Sequence, residues 1–146
     1  MKRRLVFGFL ITICATALLS SAKKEEEVAE LKQRAESAKP QDQPHLYMDV
    51  AERQLEVATS KFDAGDVGAA QSAVEDVDTY GRKAGEAAVQ VHKDMKKIEI
   101  SLRKIVIKLR DLKRSVSFED RAPIQTAIDD LEKMRTELLT KMFAKD

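Results

Sequence analysis

Two histidines, one cysteine and a few paired carboxylates are the residues of this chain that could serve as metal ligand, nucleophile or acid–base group. His45 and His92 lie far apart in sequence, and neither has a second ligand-type residue at a metal spacing such as His-Glu-x-x-His. His45 reads as a first-turn surface residue and His92 as the flank of a helix. Cys14 sits in an apolar run and serves there as filler, because Ile13 precedes it where a lipid-attachment signal needs a small residue. Glu52 and Glu56 share a helix face by their i, i+4 spacing, and Asp129 and Asp130 are adjacent. General acid–base work would require burial to shift one of those carboxyls, yet both pairs stand among other charges on outer faces. Gly65-x-x-Gly68 is too short for a phosphate loop and lacks the following Lys-Ser/Thr, and there is no Gly-x-Ser-x-Gly elbow. These residues predict no enzyme, no cofactor, no metal site and no small-molecule substrate.

Charge is the more informative chemistry. Residues 93–114 carry nine cations and three anions, whereas residues 23–90 carry nine cations and fifteen anions. An acidic front is thus followed by a basic helix. Lys96, Lys97, Arg103, Lys104, Lys108, Arg110 and Arg114 are candidate contacts for an anionic ligand: a lipid headgroup, lipopolysaccharide, a cell-wall polymer or nucleic acid. Nucleic acid fits least, since no aromatic between 93 and 114 offers a stacking platform. The competing reading is a solvated face, partly neutralised by Asp129, Asp130, Glu132 and Glu137 of the final helix.

The elements that must position these residues are helical. The 146-residue chain is 35% charged, 43% hydrophobic and only 5% aromatic, with five Gly and three Pro. That composition excludes a wholly disordered chain and suits helices with long solvated faces. Its net charge of +1 excludes a bulk nucleic-acid binder. Lys2, Arg3 and Arg4, the apolar run 5–19 and the small residues Ser20, Ser21 and Ala22 form the three parts of a secretory signal. The apolar run is shorter than the roughly 20 residues a spanning helix needs. Residues 1–22 are therefore expected to be a signal peptide directing the protein to a periplasm or to secretion. The alternative is an uncleaved leader anchoring it to an inner membrane. Cleavage would leave no cysteine and no disulfide.

Residues 23–146 read as one helical domain. Val28, Leu31, Ala35 and Ala38 predict an amphipathic helix over 23–39, ended by Pro40 and Pro44. Met48, Ala51, Leu55, Ala58 and Phe62 form one stripe of a helix over 45–64. Gly65 suits its end because it accepts a positive φ, and Asp66 is placed to cap the next helix. Gly81 and Gly85, one turn apart beside Ala84 and Ala88, read as a flat face for a closely packed helix or as a kink near Tyr80. No stop signal comes after them. From Val91 the steps run 4, 3, 4, 3, 4, 3, 4 through Met95, Ile98, Leu102, Ile105, Leu109, Leu112 and Val116, the 3.5-residue repeat of a coiled-coil seam. The first seven are candidate helix-interface residues. Ile100, Val106 and Ile107 broaden the apolar face and predict a second neighbour. Unbroken over 67–114, such a helix would be about 72 Å long. Asp120 is placed to cap a final helix carrying Ile124, Ala127, Leu131, Met134, Leu138 and Met142. The expected fold is all-α: antiparallel hairpins, 45–90 and 91–146, sharing one long central helix, with a coiled-coil-like C-terminal half.

Phe62, Gly65-Asp66 and Ala70, with the small Ala58 before them, resemble the inter-helix turn of a tetratricopeptide-type hairpin. The similarity covers residues 47–82 once. Gln54, Val67 and Arg82 stand where that family prefers Trp, Tyr and Pro, and a single hairpin lacks the groove of stacked repeats. The region also resembles helical segments of secreted bacterial proteins of unknown function. That resemblance implies an envelope location and scaffolding by protein partners or self-association. The functional expectation is a non-enzymatic exported scaffold or adaptor acting by helix–helix contact, the alternative being a binder of anionic ligands, including a membrane surface, through the basic helix.

Overall fold

The computed structural model describes the backbone of residues 11–144 and the side chains of residues 22–144. The basic segment of the leader, Lys2, Arg3 and Arg4, lies outside the described residues, as does the side chain of Cys14. Five helices and a 3-10 turn make up the described chain, with no strand among them: α1 (Ile11–Ser37), α2 (Gln43–Asp63), α3 (Val67–Val91), α4 (Met95–Ser115), a turn at Phe118–Asp120, and α5 (Arg121–Phe143). The fold is all-α. Among the described residues no helix is long and apolar enough to cross a membrane.

Cross-links give each helix its direction. Lys61 meets Glu25 at 2.7 Å and the Tyr47 hydroxyl donates to Glu36 at 3.1 Å, so α1 runs antiparallel to α2. The α2–α3 hairpin closes through Gln54, which donates to Asp76. Gln71 reaches Asp120, and Gly81 and Gly85 lie against Leu131 and Met134, so α3 and α5 run parallel. Arg110 pairs with Glu132, and Arg135 with Glu99, so α4 and α5 run antiparallel. Successive helices therefore alternate in direction. In cross-section α3 packs on α2 and α5, α4 packs on α5 and along α2 and α3, and α1 lies outside on α2.

The expected single helix over 67–114 is not formed. α3 stops at Val91 and the chain reverses through His92-Lys93-Asp94, with φ of 50° at His92 and 57° at Asp94. The His92 N–H donates to the Val89 carbonyl and the Lys93 N–H to the Ala88 carbonyl, both at 3.2 Å. This is a Schellman ending with histidine in the left-handed position usually taken by glycine. The α2 ending is built the same way on Gly65 at φ 76°, whose N–H donates to Phe62 while that of Asp66 donates to Lys61. There the expected residue does the expected work, and the Asp66 carboxylate caps α3 by accepting from the Ala69 N–H at 3.3 Å. Asp120 stands at the start of α5 but makes no side-chain cap; it accepts from Gln71 instead.

Close packing, not a kink, explains Gly81 and Gly85. α3 is continuous past both, and a Cβ on Gly81 would stand 2.6 Å from Leu131 Cδ2. The core then assembles from the predicted stripes: Met48, Ala51, Leu55 and Ala58 of α2, and Ile124, Ala127, Leu131, Met134 and Leu138 of α5, are all buried. Fully burying a Leu or Ile is worth about 1.5–3 kcal/mol, so these stripes carry the fold.

Candidate functional site: the outward face of helix α4

The heptad seam of α4 is spent inside the molecule. Ile98, Leu102, Ile105, Leu109 and Leu112 are buried, Met95 is partly buried against the same core, and Val91, the last residue of α3, is half-buried. Six of the seven interface candidates thus pack into the core of one chain. Val106 joins them at 1% exposure, but Ile100 and Ile107 do not. They stand on the opposite side of the helix, 37% and 51% exposed. Their i, i+7 spacing sets one nearly above the other along the helix axis.

Cations surround that pair, and they divide into engaged and free. The arginines are tied down. Arg103 donates to Glu99 at 2.8 Å, Arg110 pairs with Glu132, and Arg114 pairs with Asp111 at 3.0 Å. Lys97 holds Asp94 at 2.9 Å. Lys96, Lys104 and Lys108 are exposed and meet no carboxylate among the described residues. Of the seven predicted anion contacts, four are engaged within the chain and three are free. Glu132 alone of the four expected α5 neutralisers reaches the basic helix. Lys113, half-buried, donates to Gln125 at 2.5 Å and faces α5.

Glu99 is the group that holds Arg103. Its side chain is 4% exposed and receives Arg103 on one oxygen and Arg135, through two nitrogens at 2.7 and 3.1 Å, on the other. Burial works to raise this carboxyl, but the Arg103 and Arg135 hydrogen bonds outweigh it and keep it below the ordinary glutamate range. Asp94, at the α3–α4 reversal, is held down to about 2 by Lys97 and then by His45, whose Nε2 stands 3.0 Å away. His45 is thus an exposed first-turn residue, as expected, and also a latch on the reversal. His92 ends a helix rather than flanking one.

The carboxylate pair Glu52 and Glu56 lines a groove of about 640 Å³ between α2 and α4, with Lys108 and Asp111 opposite. Both glutamates are exposed, and Glu56 is bonded to Arg53 at 3.0 Å. Asp129, also exposed, accepts from Gln125. No group of three or more His, Cys, Asp or Glu side chains among the described residues is placed to hold a metal ion.

A second polar cluster was not legible in the sequence. Tyr47 and Tyr80 meet in a tilted pair at a 6.0 Å centroid distance beneath Lys32 and Lys83, whose ammonium groups lie 5.2–5.4 Å from the rings. Glu36 joins Lys83 to the Tyr47 hydroxyl, and Asp76 takes Lys32 at 2.5 Å. The Lys83 bond keeps Glu36 below its usual range, and burial followed by Glu36 pushes Tyr47 up. This cluster fastens α1 to α2 and α3.

These features define a class: an alternating five-helix bundle with one preformed cationic helix face bearing exposed isoleucines. Comparison with family models, with curated proteins and with solved structures finds no match for the chain.

Proposed function

We propose that this protein is a non-enzymatic exported helical module that works by contact, and that its contact surface is the outward face of α4, directed at an anionic partner. The supporting observation is the pairing of Ile100 and Ile107, exposed on the helix, with Lys96, Lys104 and Lys108, which no carboxylate meets among the described residues. Solvated helix faces usually alternate charges of both signs. On α4 the exposed carboxylate, Asp111, is already taken by Arg114. The helix–helix scaffold reading has less support, because its seam is filled by the molecule's own α5, α3 and α2.

The test is binding of the full chain to a soluble polyanion, inorganic polyphosphate, over a salt series. Phosphate-type binding falls steeply with ionic strength. Lys104→Glu with Lys96→Glu should weaken it at least tenfold while the helical circular dichroism and melting temperature stay put. Unchanged binding in that variant would remove α4 as the contact surface.

A further inference from the structure

We infer that the anionic partner of α4 is a lipid bilayer surface, on which the helix lies flat with Ile100 and Ile107 inserted between headgroups. This rests on the proposed anionic contact and specifies its chemistry. A soluble polyanion would satisfy the lysines and leave both isoleucines in water. A bilayer of anionic lipids takes both at once, because apolar side chains enter the acyl boundary while lysines reach phosphate from beside them.

The geometry fits that use. Ile100 and Ile107 are about 10.5 Å apart along the axis at 1.5 Å per residue, so both enter with the helix parallel to the surface. The free cations are lysines, whose flexible stems let the ammonium climb to headgroup level. The arginines that would hold a fixed geometry are instead pinned to Glu99, Glu132 and Asp111. The face is convex, being the outer stripe of one helix, so it presents a ridge to a plane. It is also preformed, since α4 is anchored by Leu102 and Leu109, both fully buried. Peptides that fold on the membrane must order a chain first; this face carries no such cost. The antiparallel pairing brings the end of α5 toward the start of α4, and Phe143 at that end is 78% exposed.

The experiment is flotation of the full chain with vesicles at about 0.15 M salt, where charges beyond roughly 8 Å are screened. Mixed phosphatidylcholine–phosphatidylglycerol vesicles are compared with phosphatidylcholine alone, and polyphosphate binding is measured in parallel. Every variant keeps the same leader, so any contribution of residues 1–22 is common to all of them. Reversal of Lys96, Lys104 and Lys108 to Glu should lower partitioning into the anionic vesicles by at least about a hundredfold, since loss of each lysine alone is worth about 1 kcal/mol. A charge-matched reversal of Lys23, Lys39 and Lys133, exposed and outside α4, should change it no more than a few fold. Ile100→Ser with Ile107→Ser should cost about tenfold on vesicles and nothing on polyphosphate. If the serine pair binds vesicles like the parent while the lysine reversal abolishes both interactions, the bilayer inference fails and the anionic contact stands. If the lysine reversal leaves both unchanged, both fail.

Discussion

Helix α1 buries two of its described side chains, Val28 and Ala35, whereas α5 buries Ile124, Ala127, Ile128, Leu131, Met134 and Leu138. The first is held by polar contacts: Lys61–Glu25, Lys32–Asp76, Lys83–Glu36, the Tyr47–Glu36 bond and the two lysines over the tyrosine rings. The second is held by apolar area, with one buried ion cluster at Glu99. Half-exposed ion pairs are worth about 0–1 kcal/mol each and are screened by salt. A buried leucine is worth more than any of them and is indifferent to salt. The same chain thus carries a detachable arm at one end and an obligatory hairpin at the other. These contacts predict that α1 opens as a local unit before α4, whose buried seam ties it to the bundle. A contact surface on α4 is therefore rigid.

The largest effect should come from the apolar side. Leu131→Ala removes a fully buried side chain that fills the hollow over Gly81, and should cost about 2–5 kcal/mol, read as a lower urea midpoint at unchanged slope. A loss below about 1 kcal/mol, outside the range for such a truncation, would mean the α3–α5 contact is not the core of the bundle.

Next is the buried charge. Glu99→Gln keeps the shape and removes the anion shared by Arg103 and Arg135, at about 2 kcal/mol. The carboxyl is held below its ordinary value in the fold. Its contribution is therefore complete above the usual glutamate range and disappears as pH falls through the lowered value. Urea melts from neutral to acid pH should show the parent losing stability faster than the glutamine variant. Parallel curves would show that Glu99 is not the acid-sensitive tie.

The arm should respond differently. Glu36→Gln removes the group that joins Lys83 to Tyr47, for about 1 kcal/mol of local stability. Hydrogen exchange should quicken over residues 23–37 and stay constant in α4 and α5, and added salt should mimic the change in the parent. Equal quickening in α4 would abolish the distinction between arm and hairpin.

The smallest effect lies at the reversal. His92→Gly relieves a left-handed φ of 50°, and should stabilise by about 0.5–1 kcal/mol after the added chain entropy of glycine is counted. A thermal melt shifted downward would show that the imidazole contributes more than its backbone strain costs.

Two turns of the same geometry show where local sequence signals run out. Gly65 and Asp66 announce the end of α2 by their chemistry, because a residue without Cβ takes φ of 76° freely and an aspartate caps the next helix. His92 adopts the same conformation with no such announcement, and the apolar steps through Val91 and Met95 run on across the break. The apolar stripes of α2, α4 and α5 were legible because periodicity reports which side of a helix is dry. The glycine pair in α3 was legible as a place for close approach, though not the helix that approaches it.

Helix content, the buried stripes, the glycine turn and the basic bias of residues 93–114 are written in local chemistry, within about one helical turn along the chain. The reversal at residues 92–94, the Arg110–Glu132 and Arg135–Glu99 pairs, and the exposure of Ile100 and Ile107 beside free lysines depend on α5 lying against both α3 and α4. That packing becomes favourable only when side chains far apart in sequence are desolvated together. It outweighs the strain at His92 and Asp94, and it decides which face of α4 meets solvent.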